Sequence, residues 1–245
     1  MANFLRLLTG LALLPACWGV TRAFLDAIEI AAGVDGWMDP EALALIGGIL
    51  AFVLAWLVLP HPVKTYVLGH ELTHALWGLF FGARPSKVRV SDRGGSVQLT
   101  KSNVLITLAP YFFPFYTFVV AVVALVTSLF VRPLPCLPLW LFLVGLTWSF
   151  HVLFTLETLG RRQPDVTLYG RVFSWTFIYI VNVAIVLLWL AAMTPLTFAE
   201  LREALTRRVG DAYVGVWVAA CRVAGGWETA SALQQGGGRY VSRSN

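Results

Sequence analysis

The chain has 245 residues, 58% of them hydrophobic and 13% charged, with a formal net charge of +5 and a mean hydropathy of +0.74. A soluble domain carries about 25% charged residues, so this balance excludes an ordinary soluble fold and indicates a polytopic α-helical membrane protein. The basic residues form no stripe, which argues against nucleic-acid binding. Cys17, Cys136 and Cys221 are unclustered and provide neither a disulfide framework nor a paired-cysteine metal site.

The first apolar segment covers about residues 3 to 20. Arg6 followed by Leu7–Ala16 has the layout of a signal peptide, and a retained first helix is the preferred reading. Residues 21–41 carry Asp26, Glu29, Asp35, Asp39 and Glu41 and read as a loop or interfacial helix. Ala42 to Leu59 is an uninterrupted apolar run, long enough to span a bilayer. Pro60-His61-Pro62 ends it, because proline cannot continue a helix and restricts its predecessor. Pro62 is well placed to start the next helix, predicted over 63–82 with Gly82 as its stop.

Residues 85–100 change character. Val88, Val90, Val97 and Leu99 alternate with Lys87, Arg89, Ser96 and Gln98 around Asp92-Arg93-Gly94-Gly95. A period of two around a glycine turn predicts a small β-hairpin. Apolar segments follow at about 103–131, 135–158 and 167–193. The first is longer than one span needs and contains Pro110 and Pro114, so its first third is predicted to be bent or re-entrant, lining a cavity. The total is about five to six transmembrane segments. They make up a membrane-embedded domain over 1–193, whose core is 63–193. The tail, 194–245, has an amphipathic stretch near 198–224 and ends in Gly236-Gly237-Gly238 and polar residues, a composition that predicts partial disorder.

Chemistry concentrates in His70-Glu71-Leu72-Thr73-His74. On a helix, positions i and i+4 share a face, so both imidazoles reach one tetrahedral Zn²⁺ while Glu71 is placed to act as general base on water at the metal. The chain has only four histidines, and an ionisable triplet in an apolar helix is costly unless it has a role. A catalytic zinc needs a third protein ligand and an open fourth position. Asp165, Glu157 and His151 are the candidates. Asp165 is preferred, since it follows a turn proline and starts an apolar helix, where an acid would also offset the helix dipole. His151 reads as a partner that orients a ligand or as an alternative ligand, and Glu157 as an alternative third ligand.

The helix with its HExxH motif, the glycine-bearing hairpin after it and the later carboxylate resemble the site-2 protease family of intramembrane zinc metalloproteases, the M50 group. The likeness covers roughly residues 63–182. It implies one Zn²⁺ per chain held by His70, His74 and Asp165, Glu71 as catalytic base, and a membrane-protein substrate cut within or beside the bilayer. There are departures. Thr73 stands where the family commonly has glycine, Pro164-Asp165-Val166 stands for its Leu-Asp-Gly, and there is no PDZ insertion. Three other readings remain open: a catalytically silent scaffold or chaperone for transmembrane helices, a membrane protease resembling the Ste24-like branch with Glu157 as third ligand, and a metal transporter.

The hairpin suggests how a substrate is held. A strand edge with Gly94, Gly95 and Val97 beside the metal would bind an unwound segment by strand addition. Counting crossings puts Arg84, Lys87, Arg89, Arg93, Lys101, Arg161, Arg162 and Arg171 on one side, and Lys64 and Arg132 on the other. The positive-inside rule then makes the hairpin side, and the active site near it, cytoplasmic. Substrate identity and oligomeric state are not legible.

Overall fold

The computed structural model describes residues 1–32, 39–92 and 94–223. Asp35, Arg93 and the glycine-rich end of the tail lie outside them. The described chain is mostly helical with one two-stranded antiparallel sheet. Four helices are long and apolar enough to cross a membrane, and a fifth span is possible if one bent pair counts as one. The chain divides into two units, Met1–Leu11 with Ala32–Asn182, and Ala12–Ala31 with Val183–Asn245.

Helices α1 (Ala2–Ala12) and α2 (Leu14–Ala32) form an apolar stretch over Asn3–Ile30. Of the loop or interfacial helix expected from residue 21 onward, the structure has helix to Ala32. The acidic residue that suggested a loop, Asp26, is paired with Arg208 at 2.6 Å, and Ala23 and Ala27 beside it are buried.

In the first unit, α3 (Pro40–Val58) ends before the Pro60-His61-Pro62 break, and α4 (Val63–Phe80) carries the HExxH motif. Gly82 stops α4 as expected. It has a φ of +70°, its amide donates to the Leu79 carbonyl, and the Ala83 amide donates to Gly78. These two bonds make a Schellman cap, whose left-handed residue favours glycine. The hairpin is β1 (Pro85–Ser91) and β2 (Gly94–Leu99), paired from Pro85 with Leu99 to Ser91 with Gly94. Its register jumps between Ser86 and Arg89, where Lys87 takes a positive φ of 49°, the signature of a bulge.

The expected bend is a break between α5 (Val104–Phe112) and α6 (Phe115–Phe130) of 78°. Next come α7 (Leu137–Gly160), a short α8 (Pro164–Leu168) and α9 (Arg171–Met193). Asn103 starts α5 by accepting the Ile106 amide at 2.9 Å. Ser174 donates to the Val166 carbonyl and fixes α8.

The crossing count needs a correction. α3 runs parallel to α7, with Phe52 against Phe150 and Trp56 against Phe154. His61 Nδ1 is 3.7 Å from Glu157 Oε2, and Lys64 pairs with Asp92 at the hairpin tip at 3.0 Å. The start of α4 therefore shares an end of the bundle with the 161–166 connection instead of lying opposite it. The count failed because α5 and α6, bent by 78°, make no second full crossing, so α4 to α6 make only one net passage. His61 itself sits in the loop, outside the motif, as its sequence position indicated.

Candidate metal centre

One face of α4 presents His70 and His74. The carboxylate of Asp165, on the first turn of α8, meets both: Oδ2 lies 3.4 Å from His70 Nε2 and 3.5 Å from His74 Nε2. These three residues are the one His/Cys/Asp/Glu group among the described residues placed to share an ion, their ligand atoms all within 4.8 Å of one another. Ligands about 2.0–2.1 Å from a tetrahedral Zn²⁺ stand about 3.4 Å apart. The two imidazole-to-carboxylate distances match that spacing, and the donor set is compatible with a shared metal ion.

Each ligand is oriented by a neighbour, as metal-binding histidines generally are. His74 Nδ1 lies 2.9 Å from the Ile106 carbonyl, so it donates there and leaves Nε2 for the metal. That carbonyl is free for a local reason. In a helix it would accept from residue 110, but Pro110 has no N–H to give. The proline inside α5 thus does more than bend the chain. It supplies the acceptor that sets the tautomer of His74, a candidate metal ligand. His70 Nδ1 lies 3.4 Å from the Tyr66 hydroxyl. The Tyr111 hydroxyl donates to Asp165 Oδ2 at 3.2 Å, and its ring meets that of His70 edge-on at 5.4 Å. Asn182 donates to the Tyr111 carbonyl at 2.9 Å, tying α9 to α5. Burial works to raise the Asp165 carboxyl, but the His70 and His74 imidazoles beside it outweigh that and hold the group below the ordinary carboxylate range.

Glu71 is buried and faces the hairpin. A Cβ built on Gly95 would stand 2.7 Å from Glu71 Oε1 and 2.6 Å from Val67 Cγ1. Only glycine lets β2 come this close. The Val97 backbone hydrogen-bonds the Glu71 carboxylate. His70, Glu71, His74 and Asp165 open into a cavity of about 630 Å³ whose other walls include Gly94, Gly95, Val97, Phe154 and Gln163.

The remaining candidates stay out of the triad. Glu157 lines the same cavity, but its carboxylate is engaged by Arg161 and His61, so the glutamate-ligand alternative is set aside. His151 is buried on α7 and its Nε2 has no hydrogen-bond partner among the described residues. It lines a small second cavity with His70 and Tyr66, behind the triad and not within it. Tyr66, Tyr111 and the Ile106 carbonyl were not identified from the sequence. For Tyr111 the only signal was its place in the Ala109–Pro114 bend.

Comparison with protein-family models, with curated proteins and with solved structures gave no match. The functional reading therefore rests on the geometry of this site.

Proposed function

We propose that the protein is an integral-membrane zinc endopeptidase of the site-2 protease type, hydrolysing peptide bonds in transmembrane or membrane-proximal segments of other proteins. The observation that carries this reading is a buried glutamate next to a His-His-Asp set at zinc spacing, with all four opening into one cavity. When bound, zinc supplies a Lewis acid that polarises the scissile carbonyl and acidifies a water. Glu71 takes the proton from that water at its carboxylate and passes it to the leaving amine. Ile106, Tyr66 and Tyr111 keep the ligands in place. A silent scaffold has no use for a base in this position, which disfavours that alternative. The test is one purified sample with two readouts, zinc per chain and cleavage of a membrane substrate carrying a helix-destabilised segment. Zinc without cleavage returns the scaffold reading, and transport of zinc into liposomes returns the carrier.

The hairpin gives the substrate its place. β2 pairs with β1 on one edge only, and its residues from Gly94 to Val97 line the cavity beside the metal centre. An extended segment laid there exchanges its helical hydrogen bonds for strand bonds, which exposes the scissile bond. The loop end bearing Arg6, Lys64, Arg161, Arg162 and Arg171 outweighs the opposite end with Arg84, Lys101 and Arg132, so this end of the bundle is proposed to face the cytoplasm.

Two variants probe these contacts. Val97→Pro removes the Val97 N–H, which turns to Glu71 and has no partner in the β1 register. Cleavage is expected to fall about 100-fold through misplacement of base and strand, with zinc content unchanged; parental cleavage would make the hairpin only a loop. Pro110→Ala restores an N–H that competes for the Ile106 carbonyl. Zinc affinity, read by competition with a chelator, is expected to drop about tenfold, at the lower end of the effect of an orienting partner.

A further inference from the structure

The second unit holds a helix, α10 (Phe198–Val223), that the sequence placed in a tail outside the membrane domain. Its neighbour is α2. Tyr213 donates to the Ala12 carbonyl at 2.8 Å, and a Cβ built on Gly19 would stand 2.5 Å from the Val209 Cα. Ala27 shares a buried cluster with Leu201. These contacts make α2 and α10 antiparallel and so close that glycine is needed at the crossing, as between membrane helices. α10 has 26 residues, about 39 Å of helix against a hydrocarbon core of about 30 Å. It therefore matches the Asn3–Ile30 stretch that α2 completes.

Polarity is aligned along the pair. The charged half of α10, with Arg202, Arg207 and Arg208, lies beside the end of α2 that carries Asp26. From Ala212 to Ala220 α10 has no charged residue and is apolar around its circumference. Val214, Val216 and Trp217 are 58%, 54% and 61% exposed. A helix apolar all round is one surrounded by protein or lipid, and on α2 the exposed Leu14 and Trp18 (49% and 63%) continue the same surface. Two of the charges that disguise α10 are paired. Arg208 meets Asp26 through two bonds of 2.6 and 2.7 Å, and Arg207 reaches the same carboxylate at 3.5 Å.

We infer that α10 is a further transmembrane helix, its 212–220 surface covered by lipid acyl chains, and that the Asp26–Arg208 pair is what allows it to insert. It returns the chain to the side on which the chain begins. The inference rests on the membrane reading above, and the test separates the two. Short protease-cleavable tags are placed at the N-terminus, in the 194–197 connection and at the C-terminus of the full chain, in sealed vesicles of known orientation. The two terminal tags are expected to be cut together and the middle tag protected, or the reverse. A C-terminal tag cut together with the middle tag overturns the inference and leaves the 212–220 surface to water or a second copy. If all three tags are cut in vesicles of either orientation, and an alkaline wash releases the protein, the membrane reading itself falls. Asp26→Arg is expected to raise the fraction of chains with a misplaced C-terminus about tenfold, and Asp26→Arg with Arg208→Asp to restore it. Equal fractions in all three proteins would overturn the role of the pair.

Discussion

Replacing Glu71 with glutamine is expected to abolish peptide-bond cleavage while one zinc ion stays bound per chain. Glutamine keeps the shape of the side chain, so the packing of β2 against α4 through Gly95 survives. The ligand atoms are on His70, His74 and Asp165, and none is touched. What is lost is the one group that can take a proton at this point of the cavity, and general-base catalysis contributes roughly 10²–10⁴-fold. A drop of that size at unchanged zinc content assigns the base. Turnover equal to that of the parent would remove Glu71 from the chemistry and the protease reading with it.

Asp165→Ala is expected to empty the site. The carboxylate supplies the only negative charge among the three ligands, and its Oδ2 stands within 3.5 Å of both imidazoles. An orienting partner is worth about 10–100-fold in metal affinity, so loss of a ligand is expected to exceed about 100-fold, enough for dialysis against a weak chelator to strip the metal. Glu157→Ala is the control. Its carboxylate is held by Arg161 and His61 at the cavity wall, so zinc content is expected to stay at the parental level. The opposite pattern, with zinc lost on changing Glu157 and kept on changing Asp165, would replace the ligand set proposed here.

Much of this was legible because it is local. The i, i+4 spacing of His70 and His74 puts them on one face of any helix. Gly82 marks the end of α4, since a left-handed residue is needed there. The alternation around Gly94-Gly95 makes a hairpin, and two prolines close together bend the α5–α6 segment. Each of these depends on residues within one or two turns of each other. What stayed hidden was the pairing of charges far apart in the sequence. Asp26 and Arg208 are charged, yet they satisfy each other across 182 positions of sequence, and no local window contains both.

Sequence alone determined that the chain is built of apolar helices and that two histidines one turn apart with an intervening glutamate lie on one of them, because composition and helical periodicity are properties of short segments. Only the tertiary structure brings Asp165 to both imidazoles and leaves Glu157 and His151 out of that group, since this depends on where α8 and α7 come to rest against α4. It also decided that α5 and α6, bent by 78°, make no second full crossing, which overturned the count of sides. And it brought Tyr111 to Asp165 and the Ile106 carbonyl to His74. The proline that leaves that carbonyl free is written in the sequence, but the histidine that uses it lies 32 residues away, and only the fold closes that distance.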